Sequence, residues 1–467
     1  MQDSFTVSTP KISETKWVTD GAWMTGVVGC IVIIAIAVIC QQNAWLDKGV
    51  NVFGLFTAKE NMEVQMFCLV AASSIMCIFE FFRLLMVRPG NFFNIAPEIK
   101  NGSYFNLILA CVWRYSCYLI IFSAVMSFYK AAGEYGFARN APYYQPWFML
   151  SEWLYTAFIW LGLPYVFLTY TFKYDKNKEV NSYHRLIECV IVFIVNSLRF
   201  AKVEYPIDRL RIKKIILGLI VRIFFIPLMT VFFTQHFPHL VSNFGYMFDI
   251  LPQRLASGNY SHAIFNQDLV NIFKPIIFSI DVVLAWCGYV LTSRWLDNET
   301  QSAEPTMLGW VVCLISYPPF QLAGLYFYIP SEGHISSLGN QYFVSFFSIL
   351  MLISFIIYTS ATVVFGVRFS NLTHRGIIRT GPFAIIRHPA YTSKNIGWWL
   401  GIFPVILYLF LEGKMSFLFF VAGTVGLMAQ SGWYYLRAIT EERHLSCDPA
   451  YLEYCEKVKY RFIPKVF

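Results

Sequence analysis

The feature that most constrains this chain is a series of apolar runs, each about 20 residues long, separated by short polar stretches. Wound as a helix, a run of that length matches the ~30 Å hydrocarbon thickness of a bilayer. Ten runs read as spans, at about Met24–Cys40, Val64–Met86, Leu107–Phe128, Trp147–Phe172, Ile215–Phe233, Leu269–Leu291, Met307–Ile329, Tyr342–Val364, Ile396–Leu411 and Met415–Leu436. The expected fold class is therefore all-α: a polytopic membrane protein of about ten transmembrane helices. Composition agrees, with 57% of the 467 residues hydrophobic and 14% charged, whereas roughly a quarter of a soluble domain is charged. The run Ile187–Phe200 is too short to span comfortably and is flanked by basic residues, so it is expected to lie in the interface or to re-enter.

Basic residues set the expected orientation, because cytoplasmic loops are enriched in Lys and Arg. Lys173–Lys214 carries ten of them, and Arg83, Arg88 and Lys100 fall two spans earlier on the same side. The connector Arg368–Lys394 falls there too, four spans later. The intervening loops His236–Gln267 and Pro330–Gln341 hold only Arg254 between them. An even span count then places both termini in the cytoplasm, in a bacterial inner membrane or the endoplasmic reticulum. The net charge of +8 fits this pattern and calls for no nucleic-acid partner. The eleven cysteines are scattered, mostly inside apolar runs, and imply neither a disulfide nor a zinc framework. The first twenty residues are polar, without a small-residue cleavage pattern, so no signal peptide is expected. The polar segment Ser293–Pro305 is the nearest thing to a domain boundary. It divides residues 1–300, about six spans of unassigned role, from residues 301–467.

The chemistry-bearing stretch runs from Gly366 to Tyr391. It packs Arg368, His374, Arg375, Arg379, Arg387 and His388 into one short connector, more cationic and ring-nitrogen groups than a turn requires, and reads as an anion-binding collar at a membrane surface. Pro389 suits the first position of a helix, with His388 at or near its cap. Free N–H groups and the positive end of the helix dipole would then stand beside Arg387 and His388, a place for an anion. A second cluster, Arg437 to His444, continues the last span out of the membrane. Arg437 and Glu441 are four apart and share a helix face, and Glu442 follows. The turn Glu412-Gly413-Lys414 between the two spans is tiny, so the helix start and the helix end emerge side by side. One rim then offers cations and the other carboxylates, a polarity that suits S-adenosylmethionine. Each cluster alone also reads as an ordinary charged edge of a span.

Gly381-Pro382-Phe383, Arg387-His388-Pro389-Ala390-Tyr391, Arg437…Glu441-Glu442-Arg443, and Tyr451…Tyr454…Val458 with Pro464 together resemble the C-terminal signature of the isoprenylcysteine carboxyl methyltransferase and phospholipid methyltransferase superfamily. The likeness covers residues 366 to 467. It implies that Arg387, His388, Tyr391, Glu441 and Glu442 bind S-adenosylmethionine, and that Arg437 and Glu442 serve catalysis, Arg437 by positioning the acceptor. The acceptor implied is a lipid or a prenylated, lipid-anchored group, methylated on a carboxylate or an amine. Two departures stand out: Ser393 occupies a place where that family has Gly, and Val458-Lys459 replaces Val-Pro. The close Tyr454…Pro464 also resembles the membrane sterol reductases, which use NADPH. A double-bond reductase is thus the second expectation, and a non-catalytic scaffold or transporter the third.

Other residues carry weaker signals. Trp398 and Trp399 would wall the cofactor or only pack, and Asn371, Thr373 and His374 would line the cytoplasmic mouth or only cap the loop. Lys274 and Asp281 lie two turns apart on one helix face and are expected to pair with a neighbouring span. Pro318-Pro319 should break the seventh span.

Overall fold

The computed structural model describes residues 19–54, 56–92, 94–136, 142–175, 182–198, 202–321 and 335–466. The main elements are α1 (Ala22–Gln42), α2 (Asn61–Val87), α3 (Tyr104–Ala131), α4 (Gln145–Thr171), α5 (His184–Ser197), α6 (Arg209–Gly245), α7 (His262–Val290), α8 (Met307–Leu314), α9 (Gln341–Val363), α10 (Pro389–Leu411), α11 (Phe417–Leu445) and α12 (Pro449–Lys457). Two small antiparallel ladders complete it: β1 (Val50–Val52) with β2 (Phe56–Ala58), and β3 (Ser302–Ala303) with β4 (Thr373–His374). Side-chain oxygens fix several helix starts by taking otherwise orphaned N–H groups. Asp208 caps α6, Ser261 caps α7, Thr306 caps α8 and Ser416 caps α11.

Among the described residues eight helices are long and apolar enough to cross a membrane: α1 to α4, α6 with its continuation to Ala256, α7, α9 and α10. The two remaining expected spans differ for local reasons. The seventh begins as α8 but stops at Leu314, ahead of Pro318-Pro319, and its end falls outside the described residues. The tenth forms the 29-residue helix α11, whose C-terminal half mixes Gln430, Ser431 and Gly432 into the apolar run. The short run near Ile187 forms the 14-residue helix α5, about 21 Å long at 1.5 Å per residue and well short of a bilayer crossing.

The centre is built on α6 and α7. Phe225, Phe233, Phe237 and Leu240 of α6 and Trp286 and Tyr289 of α7 are buried together with α1 and α2 side chains. The buried indole of Trp286 donates to Thr230 Oγ1 at 3.0 Å, so its polar edge is satisfied. Gly288 lets α7 touch the connector directly; a Cβ there would collide with the Phe369 carbonyl oxygen.

The connector is anchored by a buried carboxylate. Glu80 of α2 has no exposed surface and receives Arg83 at 2.7 and 2.8 Å, Arg368 at 2.9 Å and the Thr25 hydroxyl at 2.5 Å. Arg368 also donates to the Leu296 carbonyl at 3.2 Å. This arginine, expected in an anion-binding collar, is therefore consumed in holding α1, α2 and the connector together. The polar segment Ser293–Pro305 is drawn into the same joint. Asn298 is fully buried and donates to Leu291 and Val367 carbonyls at 2.7 and 2.8 Å, and β3 pairs with the connector strand β4.

Candidate functional site at the α10–α11 corner

The helical hairpin behaves as its short turn requires. Gly413 takes φ +68°, a left-handed conformation that glycine adopts without a Cβ clash, and α11 returns antiparallel to α10. His388 occupies the N-cap position of α10 and Pro389 its first turn. The start of α10 and the end of α11 thus share one corner, and the six candidate residues divide there into two groups.

The first group is a closed ionic knot. Glu442 Oε1 lies 3.1 Å from His388 Nε2 and 3.1 Å from Arg387 Nη1, and its Oε2 accepts from Arg461 Nε at 2.9 Å. Arg387 also donates to the Lys459 carbonyl at 3.2 Å. The backbone N–H groups of Arg387 and His388 donate to the carbonyls of Tyr460 and Arg461 at 2.9 and 3.0 Å. The C-terminal tail therefore crosses the helix start that the sequence left open to a ligand. Burial pushes the Glu442 carboxyl up, but the His388 hydrogen bond and the charges of His388, Arg387 and Arg461 outweigh it, so the group stays below the ordinary carboxylate range. Expected to grip a cofactor from opposite rims, His388 and Glu442 instead touch each other.

The second group surrounds a cavity of about 60 Å³. Tyr391, Arg437, Glu441 and Thr440 line it from α10 and α11, with Asn371 and Thr373 from the connector and Glu304 and Cys313 from the α8 side. The Tyr391 hydroxyl donates to Glu441 Oε2 at 2.8 Å. Arg437 is buried, donates to Asn371 Oδ1 at 3.0 Å and sits 5.0 Å from the Tyr391 ring centroid. It has no carboxylate partner among the described residues. Its guanidinium and the half-exposed carboxylate of Glu441 thus line one small polar space, a cation and an anion with unspent capacity.

Sequence reasoning missed Glu304. Its carboxylate is buried, takes Arg443 Nη2 at 3.3 Å and lies 3.9 Å from His444 Nδ1. The β3–β4 ladder brings it here, and only an unpaired carboxylate in the polar segment before α8 hinted at it. Burial lowers the His444 imidazole from its ordinary value against the opposing pull of Glu304. Asn371 and Thr373 do line the mouth, whereas His374 turns away and lies 3.4 Å from Asp448. Trp399 donates to Ser431 at 2.9 Å and Trp398 packs on Phe355, so neither reaches the cavity wall. Asp281 is held by two hydroxyls of α9, not by a cation, while Lys274 is exposed and makes no ion pair among the described residues.

Comparison with protein-family models, curated proteins and solved structures finds no match. The fit of S-adenosylmethionine is then tested on the residues themselves. Charge fits: Arg437 can take its carboxylate, and Glu441 with Glu304 its ammonium and sulfonium. The enclosed volume is room for about two waters, so a whole nucleoside requires the mouth to widen.

Proposed function

We propose that this chain is an integral membrane methyltransferase that uses S-adenosylmethionine and acts on a lipidic or lipid-anchored acceptor. The observation that supports it most is the facing of Arg437 and Glu441 across one cavity, with Tyr391 of the Arg-His-Pro-x-Tyr run as the wall between them. In this reading about ten spans cross the membrane, both termini are cytoplasmic and the corner faces the cytoplasm. The donor would supply an electrophilic methyl group. The chain's own work is orientation and exclusion of water, worth a large share of such a displacement because well-aligned groups reach effective molarities of about 10⁵–10⁸ M. Arg437 would hold an oxyanion in a bidentate pair. Glu441 would neutralise positive charge, and Tyr391 fixes its orientation. Glu442, tied by Arg387, His388 and Arg461, holds the first two in place and is not the free cofactor ligand expected from the sequence.

Calorimetry on the detergent-purified protein tests this. S-adenosylmethionine and S-adenosylhomocysteine should both bind wild type, and Glu441→Gln should weaken the first more than tenfold, about 1.4 kcal/mol or more. Absence of heat with both ligands would remove the proposal, and binding of NADPH in their place would favour the reductase. Mass spectrometry of membrane lipids and lipid-anchored proteins, with and without the gene, would identify the acceptor by the mass of one added CH₂.

A further inference from the structure

Among the described residues lining the cavity, His444 alone has an ordinary titration near neutral pH. Its ring has a polar partner on each side. His444 and Glu304 both line the space, and His444 Nδ1 lies 3.9 Å from Glu304 Oε2. That is too long for a direct hydrogen bond. On the other side of the ring, Nε2 lies 2.8 Å from the Ser302 hydroxyl. Ser302 is not part of the cavity wall; it is half-buried in β3, next to the exposed Gln301. With the ring proton on Nε2 and donated to Ser302, Nδ1 carries a lone pair on the side of Glu304.

The other polar atoms of the wall are engaged. Glu304 Oε1 accepts from the Thr306 N–H at 3.0 Å, from the Thr306 hydroxyl and from Arg443 Nη2 at 3.3 Å. Glu441 accepts the Tyr391 hydroxyl at 2.8 Å, and Arg437 has no lone pair to offer. What remains is the pair His444 Nδ1 and Glu304 Oε2, two acceptors that share no donor among the described residues. Two hydrogen bonds of about 2.9 Å from one nitrogen reach across the gap between them. An ammonium brings both the donors and the charge that suits a carboxylate. The charged and titratable groups around the ring are Glu304, Glu441 and Arg443 of α11, and His374 of β4. Burial prevails over the two carboxylates and keeps the imidazole neutral, able to take a proton, at neutral pH.

We propose that His444 takes the proton from an amine head on the lipidic acceptor, with Ser302 as the exit to water. This rests on the methyl-transfer reading above and narrows it to an acceptor that must shed a proton; a carboxylate is already deprotonated and needs no base. The ammonium bridges His444 Nδ1 and Glu304 Oε2, gives one proton to Nδ1 and turns its freed lone pair toward the methyl carbon. The new nitrogen–carbon bond forms as the carbon–sulfur bond breaks, and that electron pair stays on sulfur. The Nε2 proton passes to Ser302, whose own proton goes to water, and the ring is neutral again. Glu441 is left to the positive charge of the donor.

The test uses the full-length protein in detergent, with oleylamine as the amine probe and oleate as the carboxylate probe. A donor-free measurement on wild type comes first. Deuterium exchange at the His444 ring carbon, read by mass spectrometry across pH, follows the ionisation of this one imidazole. Oleylamine should lower it, because an ammonium favours the neutral ring, and oleate should not. With methyl-labelled S-adenosylmethionine, label should then pass to oleylamine and not to oleate. His444→Gln should lower kcat on the order of 100-fold or more with KM for the donor unchanged. Its activity should return only at alkaline pH, where the amine loses its proton unaided. Ser302→Ala should lower kcat less, and Ser302→Thr should restore it. A His444 titration unmoved by oleylamine, label on oleate alone or on neither probe, or a wild-type pH profile in His444→Gln would each overturn the role. S-adenosylhomocysteine calorimetry on the same wild-type sample separates the two readings. No nucleoside binding removes methyl transfer and this role with it, whereas binding together with any of those results removes the role alone.

Discussion

Glu441 and Glu442 are neighbours with opposite fates. Glu442 is 9% exposed at its side chain and meets two guanidinium groups and an imidazole, while Glu441 is 42% exposed and meets a tyrosine hydroxyl. Glu442→Gln would leave Arg387 and Arg461 without their carboxylate and should lower stability by about 1–3 kcal/mol. Glu441→Gln should stay within about 0.5 kcal/mol of wild type. Thermal unfolding of both variants in detergent checks the contrast. His374 gives a pH signature. Burial, opposed by Asp448, lowers it from 6.5 to about 4, so the unfolded chain binds its proton first. Stability should therefore fall as pH drops from about 6.5 toward 4, with a slope on the order of 1.4 kcal/mol per pH unit from this group, and His374→Asn should flatten that slope in unfolding curves taken across the range. At this scale the nearness of His388 to Glu442 was legible, because a short turn between two helices forces their far ends together, but their direct contact was not. Glu304 was not, since a two-residue ladder joining positions some seventy residues apart leaves no periodic trace.

Among elements, the connector between α9 and α10 is fastened at both ends by charge: Arg368 to Glu80 at one, Arg387 and His388 to Glu442 at the other. Its density of arginines suggested one ligand-facing collar, but the residues serve different joints. Composition shows how many charges a loop carries, not which of them face inward; that depends on a carboxylate in α2 nearly three hundred positions away. Glu80→Gln should strand two buried guanidinium groups and cost about 3–5 kcal/mol, seen as a large loss of melting temperature or of folded yield in detergent. Of the helix starts, the Pro389 entry was legible because it acts locally; the Asp208, Thr306 and Ser416 caps act just as locally but were not singled out.

For the whole molecule, apolar length was the robust signal: among the described residues eight helices meet the requirement for a crossing. It was weakest where prolines or small polar residues interrupt a run, at α8 and α11. The proposed orientation makes a direct prediction. Cys447 is exposed just after α11, and a membrane-impermeant thiol reagent should reach it only from the cytoplasmic face. A cysteine placed at the exposed Ser257 should react only from the opposite face. Labelling of both from one side would reject the topology.

The tail that crosses the α10 start has a consequence for biogenesis. Tyr460 and Arg461 supply two carbonyls and a guanidinium to the corner, and they leave the ribosome after every other residue that forms it. The corner can therefore set only after α10 and α11 have been made. A chain terminated at Lys459 would carry the same helices with an unlatched corner.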